Sequence, residues 1–273
     1  LTGDALVVWV AVAVIGFYSA MTLFFVPHLS LGAELSDNYH ERSRMFGVRH
    51  AAYIIGSIFS LVSLYFLLEA GERVREVAEQ LALLAVGVMF LLVIFSVVQL
   101  RERREFQGRM NAGPIKAFRD VWENPHARLL LVVTFIEFVG SSAIAVLTLY
   151  VTEYVAGAPT WAPLIILAYM LPSSASVPLW LPLSRRFGKI RVWMGGMILT
   201  GVSFGAMFFL PFFADTTTRL IWIIVMAFFA GLANGCGGTI GPSVQGDVID
   251  YDENLTGERK EGSYFAAWNF VQK

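Results

Sequence analysis

Seven apolar stretches, each long enough to cross a bilayer, follow one another along this chain. They run from Ala5 to Pro27, Gly47 to Leu68, Gln80 to Leu100, Leu129 to Thr152, Trp161 to Leu183, Val192 to Phe213 and Leu220 to Pro242. An eighth begins near Gly262 and runs to Lys273. A helix needs roughly 20 residues to span the ~30 Å hydrocarbon core of a membrane. The runs are continuous, whereas barrel strands show shorter segments that alternate in polarity. The pattern therefore predicts an all-α, polytopic membrane helix bundle. Composition agrees: 15% of residues are charged and 56% hydrophobic, against about 25% charged in soluble domains. Apolar surface on that scale has to face lipid. Gly and Pro inside several runs weigh little against helix, because neighbouring helices satisfy the freed backbone groups.

The connections alternate in charge. One set carries Arg42, Arg44 and Arg49; then Arg101, Arg103, Arg104, Arg109, Lys116, Arg119 and Arg128; then Arg185, Arg186, Lys189 and Arg191; then Arg259 and Lys260. The other set carries Arg73, Arg75 and Arg219. Lys and Arg accumulate on the cytoplasmic side, which predicts cytoplasmic loops at 28–46, 101–127, 184–191 and 243–261 of a plasma or inner membrane protein. Within the longest loop, Pro114 followed by Ile115, Ala117, Phe118, Val121 and Trp122 predicts a short amphipathic helix on the membrane face. Gly188, flanked by cations, suits a tight hairpin turn. No basic face exists for nucleic acid, and the one cysteine, Cys236, gives no intramolecular disulfide and no cysteine-based metal site. The chain starts at Leu1 and ends inside an apolar run, and is expected to be a fragment of a longer protein.

Two loops six spans apart look alike. The first reads P-H-L-S-L-G-A-E-L-S-D-N-Y-H-E-R-S-R from Pro27 to Arg44; the second reads P-S-V-Q-G-D-V-I-D-Y-D-E-N-L-T-G-E-R-K-E-G from Pro242 to Gly262. Each is expected to open on a helix-ending proline, followed by an acidic cluster and Glu-Arg at the mouth of the next helix. That offset is what two parallel six-helix halves produce. The loop P-L-S-R-R-F-G-K-I-R, from Pro182 to Arg191, looks like the basic, glycine-containing loop of the major facilitator superfamily.

Together these segments resemble the glycoside–pentoside–hexuronide:cation symporter family of that superfamily. Gly246 to Lys273 is similar to the family's loop between helices ten and eleven with the start of eleven, and Pro27 to Arg49 to the loop between four and five with the entry to five. The resemblance covers the chain in span order, from helix four to early helix eleven. It implies the superfamily's two pseudo-symmetric six-helix halves, incomplete here: 1–100 as helices four to six, 101–127 as the central loop with its amphipathic helix, and 128–273 as helices seven to early eleven. It further implies symport of a sugar or glycoside with Na⁺ or H⁺, and no cofactor. The acidic position of the family's helix four appears as Phe25, a departure that bears on any shared use of Na⁺.

Individual residues can then be weighed. Arg49, at the start of the second span, suits either an interfacial anchor or a contact to substrate hydroxyls, for which the planar guanidinium is well shaped. The resemblance favours substrate. Asp247, Asp250 and Asp252 form either a solvated acidic loop or a gate, in which Arg42 and Arg259 pair with Asp247 and Asp250. The resemblance implies such a salt-bridged inner barrier. Glu137, at depth in the fourth span, is a candidate proton or cation site, or a partner for a buried polar group. Lys273 matches the family's helix-eleven lysine near the cation site. Trp268 and Asn269 can line the same cavity. Tyr18, Ser19 and Thr22 share one side of the first span and serve either substrate or helix packing, as do Asn234, Thr239 and Gln245. The run Gly231 to Gly241 permits close helix approach. His28, His40, His50 and His126 fall at helix ends or in loops, and no hydrolytic constellation stands out.

The sequence therefore predicts a secondary transporter acting by alternating access, a monomer whose partners are a small solute and the bilayer. A lysolipid or other amphiphile cargo on the same fold is the alternative, favoured by the phenylalanine content and Phe25. A membrane-embedded receptor or enzyme is the alternative of another class.

Overall fold

The computed structural model describes residues 3–35, 39–100, 114–158, 161–258 and 260–272. The described residues are almost all helical, with no strand among them. The helices are α1 (Asp4–Glu34), α2 (Tyr39–Glu69), α3 (Val74–Gln99), α4 (Pro114–Glu123), α5 (Pro125–Tyr150), α6 (Ala162–Ala175), α7 (Val177–Phe187), α8 (Lys189–Gly205), α9 (Thr216–Thr256) and α10 (Glu261–Val271). Six helical stretches are long and apolar enough to span a membrane, and α6 with α7 make a seventh. The order is the one read from the sequence. This is a multi-pass membrane protein.

Three expectations about the connections are corrected. Pro27 and Pro242 do not end their helices; α1 continues to Glu34 and α9 to Thr256. The described residues of 28–46 and 243–261 are therefore largely helical rather than loop, and 184–191 is helical apart from the turn at Gly188. A proline removes one donor from the ladder, but a span whose other groups are all bonded absorbs that loss. Trp161 to Leu183 is not one straight rod, because it breaks at Ser176, with α6 and α7 inclined by 49°. Pro172, Pro178 and Pro182 cluster about that break, and Pro178 cannot donate to the helix turn that would bridge it.

Other expectations hold. Pro114 opens a ten-residue helix, α4. Gly188 turns α7 into α8 with φ 86°, a backbone that glycine adopts without a Cβ clash. The fourth span closes in a π turn over Val151–Val155, and the sixth tightens into a 3₁₀ helix over Ala206–Phe212.

Packing groups the chain into two units. The first contains Leu1–Arg42, Gly108–Ala143 and Ser243–Lys273; the second contains Ser43–Gln107 and Ile144–Pro242. In the first, α10 packs on α1 and α4. Its buried side chains include Val121, Leu131, Ile249, Tyr264, Phe265 and Trp268. Asn124 caps α5: its Oδ1 accepts from the N–H groups of His126 at 3.0 Å and Ala127 at 3.3 Å, with Pro125 at the first helical position, where no donor is needed.

In the second unit, α9 lies hard against α6. A Cβ added at Gly231 would strike the Tyr169 carbonyl, and one at Gly235 would strike Ser176 and the Ser173 carbonyl. Small residues four apart let two helix backbones approach closely, so the glycine run packs as expected. An apolar cluster of Ala156, Ile165, Leu210, Leu220, Ile223 and Ala227 fills one end. Arg219 fastens the chain there, donating to the carbonyls of Phe213 and Val155 at 2.8 Å each. By contrast α3 buries none of its described residues, as suits a rod whose sides face lipid or other helices.

Candidate functional site: an arginine between two carboxylates

Arg42 lies in the first turns of α2, and its side chain is 3% exposed. Its Nη1 donates to Asp250 Oδ2 at 2.6 Å and to Asp247 Oδ1 at 3.3 Å, both on α9. Asp247 and Asp250 are three apart and so share one helix face. Gly246 clears the approach, since a Cβ there would sit 3.0 Å from Arg42 Cδ. The arginine is buried, but the acids keep 27% and 40% of their side-chain surface. An ion pair with part-exposed acids contributes less than a fully buried one.

A second charged group stands in the same unit. Lys260, 8% exposed, lies 3.0 Å from Asp120 Oδ2, 3.3 Å from Glu258 Oε2 and 3.5 Å from Asp252 Oδ2. Burial alone would lower its pKa, but bonding to Asp120 and Glu258, with the charge of Asp252, outweighs burial and raises it. The lysine joins α4 to the junction of α9 and α10. Beside it Asn124 Nδ2 donates to Tyr264 Oη at 2.9 Å, and His126 meets Tyr251 edge to face at 4.8 Å. Nothing in the spacing of Asp120 marks it as a partner of Lys260; only the folding of α4 onto α10 brings them together.

The other candidates scatter. Tyr18 is 54% exposed, and the hydroxyl of Thr22 donates back to its carbonyl at 2.7 Å. Trp268 is 1% exposed, against Tyr264 and Phe265, with Asn269 half-buried beside it. Glu137 is half-buried on α5, and Arg49 half-buried on α2. Gln245 and Thr239 are buried on α9. Arg259 and Lys273 lie outside the described residues. A groove lined by Val121, Trp122, Leu131, Ala267, Phe270 and Val271, with Arg119 and Glu123 at its edge, presents an almost wholly apolar surface, too poor in polar groups to orient a sugar.

Sequence reasoning placed His50 at a helix end and gave it no role. It is instead buried on α2, its Nε2 2.9 Å from Ser173 Oγ, which also accepts from Asn234 Nδ2 at 2.8 Å. Among the described residues no cluster of His, Cys, Asp and Glu is arranged to hold a metal.

Membrane spans and buried ion pairs are common to many membrane proteins, and comparison with known proteins decides among them. The profile of the MFS/sugar transport protein family matches residues 2–273. This chain belongs to that family. Similar members include the inner membrane symporter YicJ of Escherichia coli (strain K12), 24% identical over 94% of this chain and 56% of that protein. A putative sulfoquinovose importer of Salmonella typhimurium (strain LT2) is 26% identical over 94% of this chain and 53% of that protein. A glucuronide carrier protein homolog of Escherichia coli (strain K12) is 21% identical over 98% and 58%. The chain spans about half the length of the relatives it matches. The match places the chain in a family of membrane transport proteins and agrees with the resemblance drawn from the two loop motifs.

Proposed function

We propose that the protein is a secondary active transporter that carries a sugar or sugar acid together with Na⁺ or H⁺. The observation that carries this reading is the bond from Arg42 to Asp247 and Asp250. In alternating access, each face of the membrane is sealed in turn around a central site. A seal must hold in one state and give way in the other. A buried guanidinium shared by two part-exposed carboxylates has that character, because the acids regain water when it separates. The positive-inside bias of the basic connections supports a cytoplasmic side for this seal. Residues 1–100 and 128–273 belong to the N- and C-terminal helix halves, bridged by 101–127.

The cargo follows from the family's chemistry and from relatives named for a symporter, a sulfoquinovose importer and a glucuronide carrier homologue. Arg49 is the residue here best suited to a sugar hydroxyl or an anionic sugar substituent. Tyr18, Thr22, Trp268 and Asn269 are further candidates for the solute, and Glu137 and Lys273 for the coupling ion.

The test uses the protein from its complete reading frame, reconstituted in vesicles under an imposed Na⁺ or H⁺ gradient and offered glucuronides and sulfo-sugars. Accumulation against the solute gradient with one ion supports the proposal. Binding of lysolipid with no uptake of any sugar under either gradient overturns it.

A further inference from the structure

The polar chain through His50, Ser173 and Asn234 has no part in the ion pair just described. It lies wholly in the second unit, where α2, α6 and α9 meet. The His50 ring is seated directly on α9, because a Cβ at Gly238 would run into Nδ1. Ser173 is 0% exposed and stands one turn before the break between α6 and α7. The same break is pinned by Ser176, whose hydroxyl is 3.3 Å from the carbonyls of both Ser173 and Leu232. Trp180, just beyond, donates to Leu232 at 2.9 Å. Arg49 and Tyr53 are the charged or titratable neighbours along α2. Tyr169 is the sole titratable residue of α6, and Cys236, the one such residue in 231–241 of α9, faces Val192. No carboxylate stands on α6 or in that stretch of α9.

Hydrogen-bond bookkeeping gives this arrangement two states. With Asn234 donating into Ser173 Oγ, the serine proton is free to point at His50 Nε2, which accepts in the neutral ring that carries its proton on Nδ1. If a proton binds Nε2, that nitrogen becomes a donor. Ser173 Oγ then accepts from both His50 and Asn234, and its own proton turns to another acceptor. Helix geometry offers the carbonyl four residues back, that of Tyr169. Serine back-bonding of this kind bends helices, and this serine sits beside an existing break.

We propose that His50, Ser173 and Asn234 form a proton-binding site that sets the bend between α6 and α7. Its ligand is a single proton, taken up at His50 Nε2 and read out as the direction of the Ser173 hydroxyl. The site needs no solute, so it stands or falls independently of the cargo.

The test is amide hydrogen exchange across residues 169–180 of the complete protein in lipid nanodiscs. Rates are followed from about pH 3 to 9, a window that reaches below the usual imidazole range because the ring is buried with no carboxylate on α6 or in 231–241 of α9, and corrected with an unstructured reference peptide. The wild type is expected to show a one-proton step of about fivefold or more in protection. His50→Gln keeps a neutral donor at every pH and should abolish the step. Asn234→Asp puts a carboxylate beside Ser173 and should move the midpoint up by about one pH unit or more. A wild type without a step, or a step unchanged in His50→Gln, overturns the proposal. Should His50→Gln fail to fold, an unmoved midpoint in Asn234→Asp overturns it equally.

Discussion

Arg42 and Asp250 meet at 2.6 Å although 208 residues separate them in the chain. The contact joins the start of α2 to the far end of α9, and Asp247 joins it from the preceding turn. Replacing Arg42 leaves two carboxylates side by side with no cation between them. Arg42→Ala is expected to cost about 1–3 kcal/mol, the range of hydrogen bonds to charged groups reduced for the exposure of the acids. Arg42→Lys should recover only part of it, since a compact ammonium is more strongly hydrated than a guanidinium and costs more to bury. Thermal unfolding in detergent, compared with Asp250→Asn and the double variant, measures the coupling.

Gly238 and His50 form a size-matched pair. Gly238→Ala drives a methyl into the imidazole and is expected to destabilise by about 1–3 kcal/mol, the usual cost of overpacking. His50→Ala should relieve most of that in the double variant. At Gly231 the obstacle is the Tyr169 backbone, so Gly231→Ala should have no such rescue. A double-mutant cycle on unfolding temperature separates the two cases.

Asn124 serves two structures at once, capping α5 and bonding Tyr264. Asn124→Ala is expected to cost about 1–3 kcal/mol for the cap and the buried bond together. Tyr264→Phe should cost less, because the cap survives. The ratio of the two losses, read from denaturant titrations, tests the assignment.

Lys260 links stability to alkaline pH. Its folded pKa is raised, so its contribution is fully present below the unfolded lysine value of 10.5 and fades as pH climbs through the higher folded value. Lys260→Met is expected to lower the unfolding temperature near neutral pH and to flatten the alkaline limb of its pH profile. An unchanged limb above about pH 10 would remove Lys260 from the account.

Asp215 works in the opposite direction. It accepts from the backbone N–H and the hydroxyl of Thr218, both at 2.7 Å, and those bonds hold its pKa below the usual carboxylate value. Its support for the start of α9 is present above the unfolded value of 3.8 and is lost as pH falls through the folded one. Asp215→Asn should leave α9 less protected at neutral pH and insensitive to acid there, as measured by amide exchange at Leu220 and Ile221.

The spans could be read from the chain because lipid imposes a demand that few other environments make: about 20 apolar residues in a row. The same signal stops at the first charge, whereas a helix does not. Hence Pro27 and Pro242 looked like ends, and α1 and α9 run past them. Asp247 and Asp250 were readable as partners of Arg42 because charge and motif coincide there. His50, Ser173 and Asn234 were not, because rods that are apolar on every side give no sequence clue to which face meets which neighbour. The break at Ser176 had a trace in Pro172, Pro178 and Pro182, a spacing that permits a bend without requiring one.

The length of α9 has its own consequence. Its 41 residues, at 1.5 Å each, make a rod about 60 Å long, twice the depth of the oily layer it crosses. Even tilted, such a rod overshoots. Its final turns, with Asp247 and Asp250, fall beyond the apolar run that ends at Pro242, so under the proposed gating the clasp on Arg42 would open without dragging bare charge through hydrocarbon.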